Sequence, residues 1–309
     1  MFGLLLALAG PAAAEPPLTG YLVQSACLDE AGTPIPGRLP FEPGCDRTRP
    51  LRIGEPLPYR KHDWPGTAEA ALPQGYQASD SLLGSLRGVP AAIQTFDFGN
   101  APRAFGRQDP GDGGQVIPLP PGGEAAVAMT EDGGGGAQWF QSAECRPGWL
   151  VAIPPLPTEW QQRLVGLAIT TGPEACPARV NPSLTRWRRA AIDLPWREAA
   201  DGRTGAARVE VLVSEHFSGT AIPLADHLER FWFAQGLGLV RWERWENAAR
   251  SALAGRDAMA ELMARSRRCP PIAHGEAPDA RWQMVDCRSW TNMVRAPSAA
   301  LDWPAPELR

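Results

Sequence analysis

The sequence predicts a mainly β protein: an antiparallel β-sandwich, built as one large unit or two packed ones, with a minor helical insertion near 250–267. Three observations predict it. Gly (32) and Pro (33) together supply over a fifth of the 309 residues, punctuating the chain too often for long helices. The segments between them are short and rich in Val, Ile and Trp. One stretch, Leu228–Glu246, has the pattern of a β-hairpin, with two alternating aromatic and charged runs around Gly236-Leu237-Gly238.

The first element is not a strand. Phe2–Ala9 is apolar, and Ala12-Ala13-Ala14 before Glu15 resembles a small-residue cleavage site. Residues 1–14 therefore read as a secretory signal peptide, although Lys and Arg are missing ahead of the apolar run. Six cysteines follow, Cys27, Cys45, Cys145, Cys176, Cys269 and Cys287. An even count behind such a segment predicts disulfides and an exported, periplasmic or extracellular location. The sequential pairing Cys27–Cys45, Cys145–Cys176 and Cys269–Cys287 closes the shortest loops.

Along the chain, strands are expected at Leu18–Ala26, Leu51–Tyr59, Ala91–Phe98, Gln115–Leu119, Ala125–Thr130, Ala137–Ala143 and Trp149–Ile153. Tyr59–Gly66 reads as a surface loop; its adjacent His62 and Asp63 would point to opposite faces if extended. Asp109 and Asp112 lie among glycines, which turn chemistry alone explains. Pro154–Pro157 is the expected boundary between an N-terminal β unit (15–153) and a C-terminal one (158–309). Beyond it, Thr158 and Gln161 suggest a helical turn near Glu159–Leu164, with a strand through Leu164–Thr171 as the alternative. Asn181–Ala191 is arginine-rich and mixed. Arg208–Ser214 and Arg281–Asp286 alternate as strands. Over 246–268 the composition turns to Ala, Leu, Met and Glu, giving the helical insertion.

Register decides the faces of the hairpin. A four-residue loop, Gln235–Gly238, pairs Phe233 with Val240, Phe231 with Trp242, Arg230 with Glu243 and Glu229 with Arg244. The alternative three-residue loop opposes Arg230 to Arg244, which like-charge repulsion disfavours. In the preferred register Phe231, Phe233, Val240 and Trp242 share an apolar face. Arg230, Trp232, Arg241, Glu243 and Trp245 share a mixed one.

Net charge is −4 without a basic tail, which argues against a nucleic-acid partner. After signal removal no stretch is long and apolar enough to form an integral membrane segment. No phosphate-cradling glycine motif, nucleophile elbow or zinc spacing occurs, so no cofactor and no metal is expected. Two sets of residues bear on function. Trp232, Arg241, Glu243 and Trp245 would form a ligand-binding platform on which a glycan ring stacks while charges bond its hydroxyls. Glu215, His216, Asp226 and Glu243, with His227 and Glu229 close by, form the densest ionisable cluster. They would be catalytic in a carbohydrate hydrolase or lyase. The expected function is an exported, non-catalytic binder of cell-surface or extracellular glycan. The enzyme is the first alternative, and a structural envelope protein the second.

Overall fold

The computed structural model describes residues 18–64, 78–97, 112–132, 136–172, 176–251 and 269–300. The signal-like segment, Asp109 and nearly all of the expected helix lie outside the described residues. The described chain is mainly β. One helical turn, α1 (Leu18–Leu22), precedes β1 (Ser25–Cys27), which pairs with β2 (Thr48–Pro50). The strand expected over Leu18–Ala26 is thus split. Tyr21, Leu22 and Val23 are all fully buried, so consecutive residues face protein, which one turn of helix allows and an exposed-face strand does not. No strand spans Leu51–Tyr59; the loop expected after it holds β3 (Arg60–His62) instead.

The following strands are β4 (Ala78–Leu86), β5 (Val89–Asp97), β6 (Asp112–Pro118), β7 (Ala125–Val127), β8 (Met129–Asp132), β9 (Gly136–Gln141) and β10 (Trp149–Ala152). Then come β11 (Gln161–Thr170), β12 (Asn181–Glu198), β13 (Thr204–Ser218), β14 (His227–Ala234), β15 (Gly238–Asn247), β16 (Trp282–Ser289) and β17 (Asn292–Val294). The helical turn expected near Glu159–Leu164 is therefore part of β11.

The sandwich expectation is corrected by how these strands join. They run in the order β11–β9–β8–β6–β5–β4–β3–β17–β12, and β12 pairs back onto β11, closing a nine-stranded barrel. β12 makes this possible by its length. Residues 181–187 pair with β11, residues 197–198 with β17, and 184–197 with β13 along its other edge. From that edge the sheet continues through β13, β14, β15 and β16. Pro154–Pro157 does not separate two sheets, because strands from both sides of it share the ring.

The four-stranded extension folds back on the barrel. Leu239 N–H donates to Ser81 Oγ of β4 at 3.1 Å, and Lys61 Nζ of β3 donates to Leu239 O at 2.6 Å. One core lies on the inner face, with Ala92, Ile117, Phe140 and Val151 against Trp187, Leu212, Phe231 and Phe233. A second lies on the outer face, where Val211, Val213, Trp232 and Val240 meet Leu39, Tyr59 and Met293.

The hairpin keeps the expected pairs Phe231↔Trp242, Arg230↔Glu243 and Glu229↔Arg244. It reaches them differently. Ala234 pairs with Gly238 and Phe233 with Leu239, and a bulge between Trp232 and Phe233 restores the register at Arg241. Leu239 therefore joins the inner core in place of Val240, which joins the outer one. The turn itself needs glycine at 238: φ there is +68°, and a Cβ would overlap the Ser81 side chain. The three disulfides are the sequential set, Cys27–Cys45, Cys145–Cys176 and Cys269–Cys287.

Candidate functional site

Alternation along β13 sends Ser214 and His216 to the inner face and Glu215 to the outer one. Along β14 it sends His227, Glu229, Phe231 and Phe233 inward and Arg230 and Trp232 outward. These two faces have different fates.

The outer face carries one row of charge across four strands. Arg186, Glu215, Arg230 and Glu243 stand directly opposite one another on β12, β13, β14 and β15. Arg186 bonds Glu215. Arg230 reaches Glu215 at 2.6 Å and Glu243 at 3.0 Å, and Arg241 reaches Glu243 at 2.6 Å. Trp245 Nε1–H also donates to Glu243, at 2.9 Å. The row is sealed by the segment that Cys269–Cys287 anchors: Arg230 donates to Glu276 O and Arg241 to Pro270 O. Glu215 and Glu243 are fully buried and held by guanidinium groups from two sides, which leaves them no part in acid–base exchange with a substrate. Trp232 is 0% exposed and Trp245 6%, so the expected binding platform is interior. Alternation alone marks a second face without showing what covers it.

The inner face opens into a cavity of about 740 Å³. Its floor is aromatic. Phe140 stacks on Trp149 at 5.0 Å, and Trp149 stands edge-on to His216 at 4.7 Å and to Phe231 at 5.7 Å. Trp242, Trp290 and Leu239 extend this wall, and Leu167 and Ile169 of β11 form the facing one. β11 is thinly covered: Ile169 is 59% exposed. Polar groups also line it: Asn181, Ser218, His227 and Glu229 are partly or fully exposed, and Gln115 and Ser183 are buried.

His216 is buried among these rings, and desolvation pushes its pKa down to about 3. Ser214 Oγ–H donates to Val151 O at 2.7 Å and lies 3.0 Å from His216 Nε2. The hydroxyl's single proton is used on the carbonyl, so Nε2 must carry the proton in that contact. Nδ1 is then the acceptor nitrogen, and it has no partner among the described residues. A Ser–His pair with the proton on this nitrogen cannot activate the serine.

Asp226 is exposed beside the lining residue His227, whose Nδ1 is 3.1 Å away, and does not itself line the cavity. The Ser218 hydroxyl bonds the Asp226 carboxylate and holds it below the ordinary carboxylate range, against the pull of partial burial. Glu229 Oε2 accepts from Trp242 Nε1 at 3.2 Å. The expected catalytic set is therefore divided: His216 lines the cavity, Asp226 is exposed outside it, and Glu215 and Glu243 are sealed on the opposite face. Of the cavity aromatics, the sequence places Phe231 and Trp242 on the hairpin's apolar face, whereas nothing in it singles out Phe140, Trp149 or Trp290. The usable signal was the β14 alternation, which places His227, Glu229 and Phe231 on one side once the register is set.

Among the described residues, no three His, Cys, Asp or Glu side chains gather to hold a metal, and no helix is long and apolar enough to cross a membrane. No family model matches this chain, and no curated protein and no solved structure matches it either.

Proposed function

We propose that this chain is an exported, non-catalytic binding protein that holds a small apolar or amphipathic molecule in the cavity between β11 and β13–β15. The observation that carries the reading is the cavity itself: about 740 Å³, walled by Phe140, Trp149, Phe231, Trp242, Leu167 and Ile169, with polar side chains interspersed. That size and lining suit small-molecule sites. Export is supported by the three disulfides, which persist in oxidising compartments. Catalysis lacks support, because Glu215 and Glu243 are sealed and His216 holds its proton on the nitrogen that faces Ser214. A glycan is a second reading at this same cavity, since Trp149 and Trp242 are half-buried there and offer ring faces for stacking.

The test is titration with a neutral apolar fluorophore, N-phenyl-1-naphthylamine, followed by probe emission and tryptophan quenching. One saturable site per chain is expected. Ile169→Arg, at an exposed wall position, should weaken binding at least about tenfold without unfolding the protein, because it sets a charge against an apolar ligand. Absence of saturable binding, or binding indifferent to Ile169→Arg, would overturn the reading. Binding of oligosaccharides but not of the fluorophore would select the glycan.

A further inference from the structure

The charges around the cavity are one-sided. Among the described residues that line it, none is Lys or Arg. The ionisable groups that do are Glu229, His227 and His216. His216 is uncharged at neutral pH. His227 is paired with Asp226, whose carboxylate stays ionised, so that pair is at most neutral. Glu229 is left as the fixed charge, with Trp242 Nε1–H as its sole hydrogen-bond donor among the described residues. The nearest cations on the same sheet face are already matched: Arg244, opposite Glu229, pairs with Glu246 at 2.9 Å, and Arg288 pairs with Asp286 at 3.4 Å.

We infer that the ligand is an organic cation, an apolar body carrying an ammonium-type head, with the head set between Glu229 and the faces of Trp149, Phe231 and Trp242. The inference rests on the binding reading above and gives it a ligand class. An aromatic wall attracts a cation through the negative ring face, and a quaternary ammonium suits such walls because it needs no hydrogen bonds. A half-buried carboxylate with one donor gains from a counter-charge, whereas an anionic ligand would meet Glu229 with no Lys or Arg among the described lining residues and with Arg244 already bound to Glu246.

Three ligands of one chain length separate the possibilities: octyltrimethylammonium, octanol and octanoate, each below its micelle concentration, read by tryptophan fluorescence and calorimetry. The expected order is octyltrimethylammonium about tenfold tighter than octanol, with octanoate weakest. In Glu229→Gln, whose amide oxygen still accepts from Trp242, the cation should bind within about twofold of octanol, both measured on that variant. If octanol binds and the cation binds no tighter, or octanoate binds best, the charge inference fails while the cavity reading stands. A cation preference that survives Glu229→Gln also overturns the assignment to this carboxylate. If none of the three binds, both readings fall.

Discussion

His216 makes acid stability a readout of the inner face. Its folded pKa is about 3, against an ordinary 6.5, because burial penalises the imidazolium. Below pH 6.5 the unfolded chain takes up a proton that the folded chain refuses, so stability falls as pH drops, by up to about 1.4 kcal/mol per unit. Between pH 6.5 and 5 this amounts to about 2 kcal/mol. His216→Gln, which keeps a donor for Ser214, should lose that part of the slope in urea titrations at the two pH values. Coincident slopes for the two proteins would show that His216 does titrate in the fold. Lys61 gives the alkaline counterpart. It is the chain's only lysine, it is fully buried, and its ammonium donates to the Leu237 and Leu239 carbonyls at the hairpin bulge. Desolvation lowers its pKa from 10.5 to about 7, with Asp80 opposing. From pH 7 towards 9.5 the unfolded chain therefore holds the extra proton, and stability should rise. Lys61→Met should abolish the rise. Tyr59, raised by burial, acts in the opposite sense only near pH 10 and above.

At the scale of the element, the charge row decides whether β12–β15 can pack on both faces. Removing Arg230 leaves Glu215 and Glu243 each short of a buried partner. Arg230→Met should cost about 3–5 kcal/mol in urea unfolding. The triple variant Arg230→Met, Glu215→Gln, Glu243→Gln should recover part of that loss, since the uncompensated charges are gone. No recovery would mean that the arginine acts through its guanidinium stacked over Trp245 rather than through its ion pairs. Much of this element was legible in the sequence. Opposite charges and aromatic pairs a few residues apart set the pairing of Arg230 with Glu243, and local contacts suffice for that. The bulge was not legible in the local pattern, and Leu239 beside it bonds Ser81 on β4, 158 residues away in sequence. Nor was the burial of Trp232 and Trp245, which depends on segments near Leu39 and Glu276 closing over them.

For the whole molecule, the feature that sequence hides is ring closure. β11 looks like a marginal strand, with Leu164 52% and Ile169 59% exposed, yet it joins β9 to β12 and so completes the barrel. Its join to β9 is only three residue pairs, Ala168–Thr170 against Trp139–Gln141. Cys145–Cys176 sits beside this seam: Cys145 follows β9 and Cys176 follows β11, at a separation of 31 residues. By loop closure alone, deleting it costs about 3–4 kcal/mol through the unfolded chain, which would lower protection everywhere. If instead it staples the seam, replacing both cysteines with serine should act locally. Amides of β9 and β11 should then exchange faster in native-state hydrogen exchange, while those of β13–β15 change only with global stability. Because Leu167 and Ile169 form one wall of the cavity, fluorophore affinity should drop in the same variant. A uniform loss of protection with unchanged affinity would assign the disulfide to chain entropy and leave the seam held by its strand pairs. A loss confined to β9 and β11, together with weakened binding, would make this seam the place where the cavity opens.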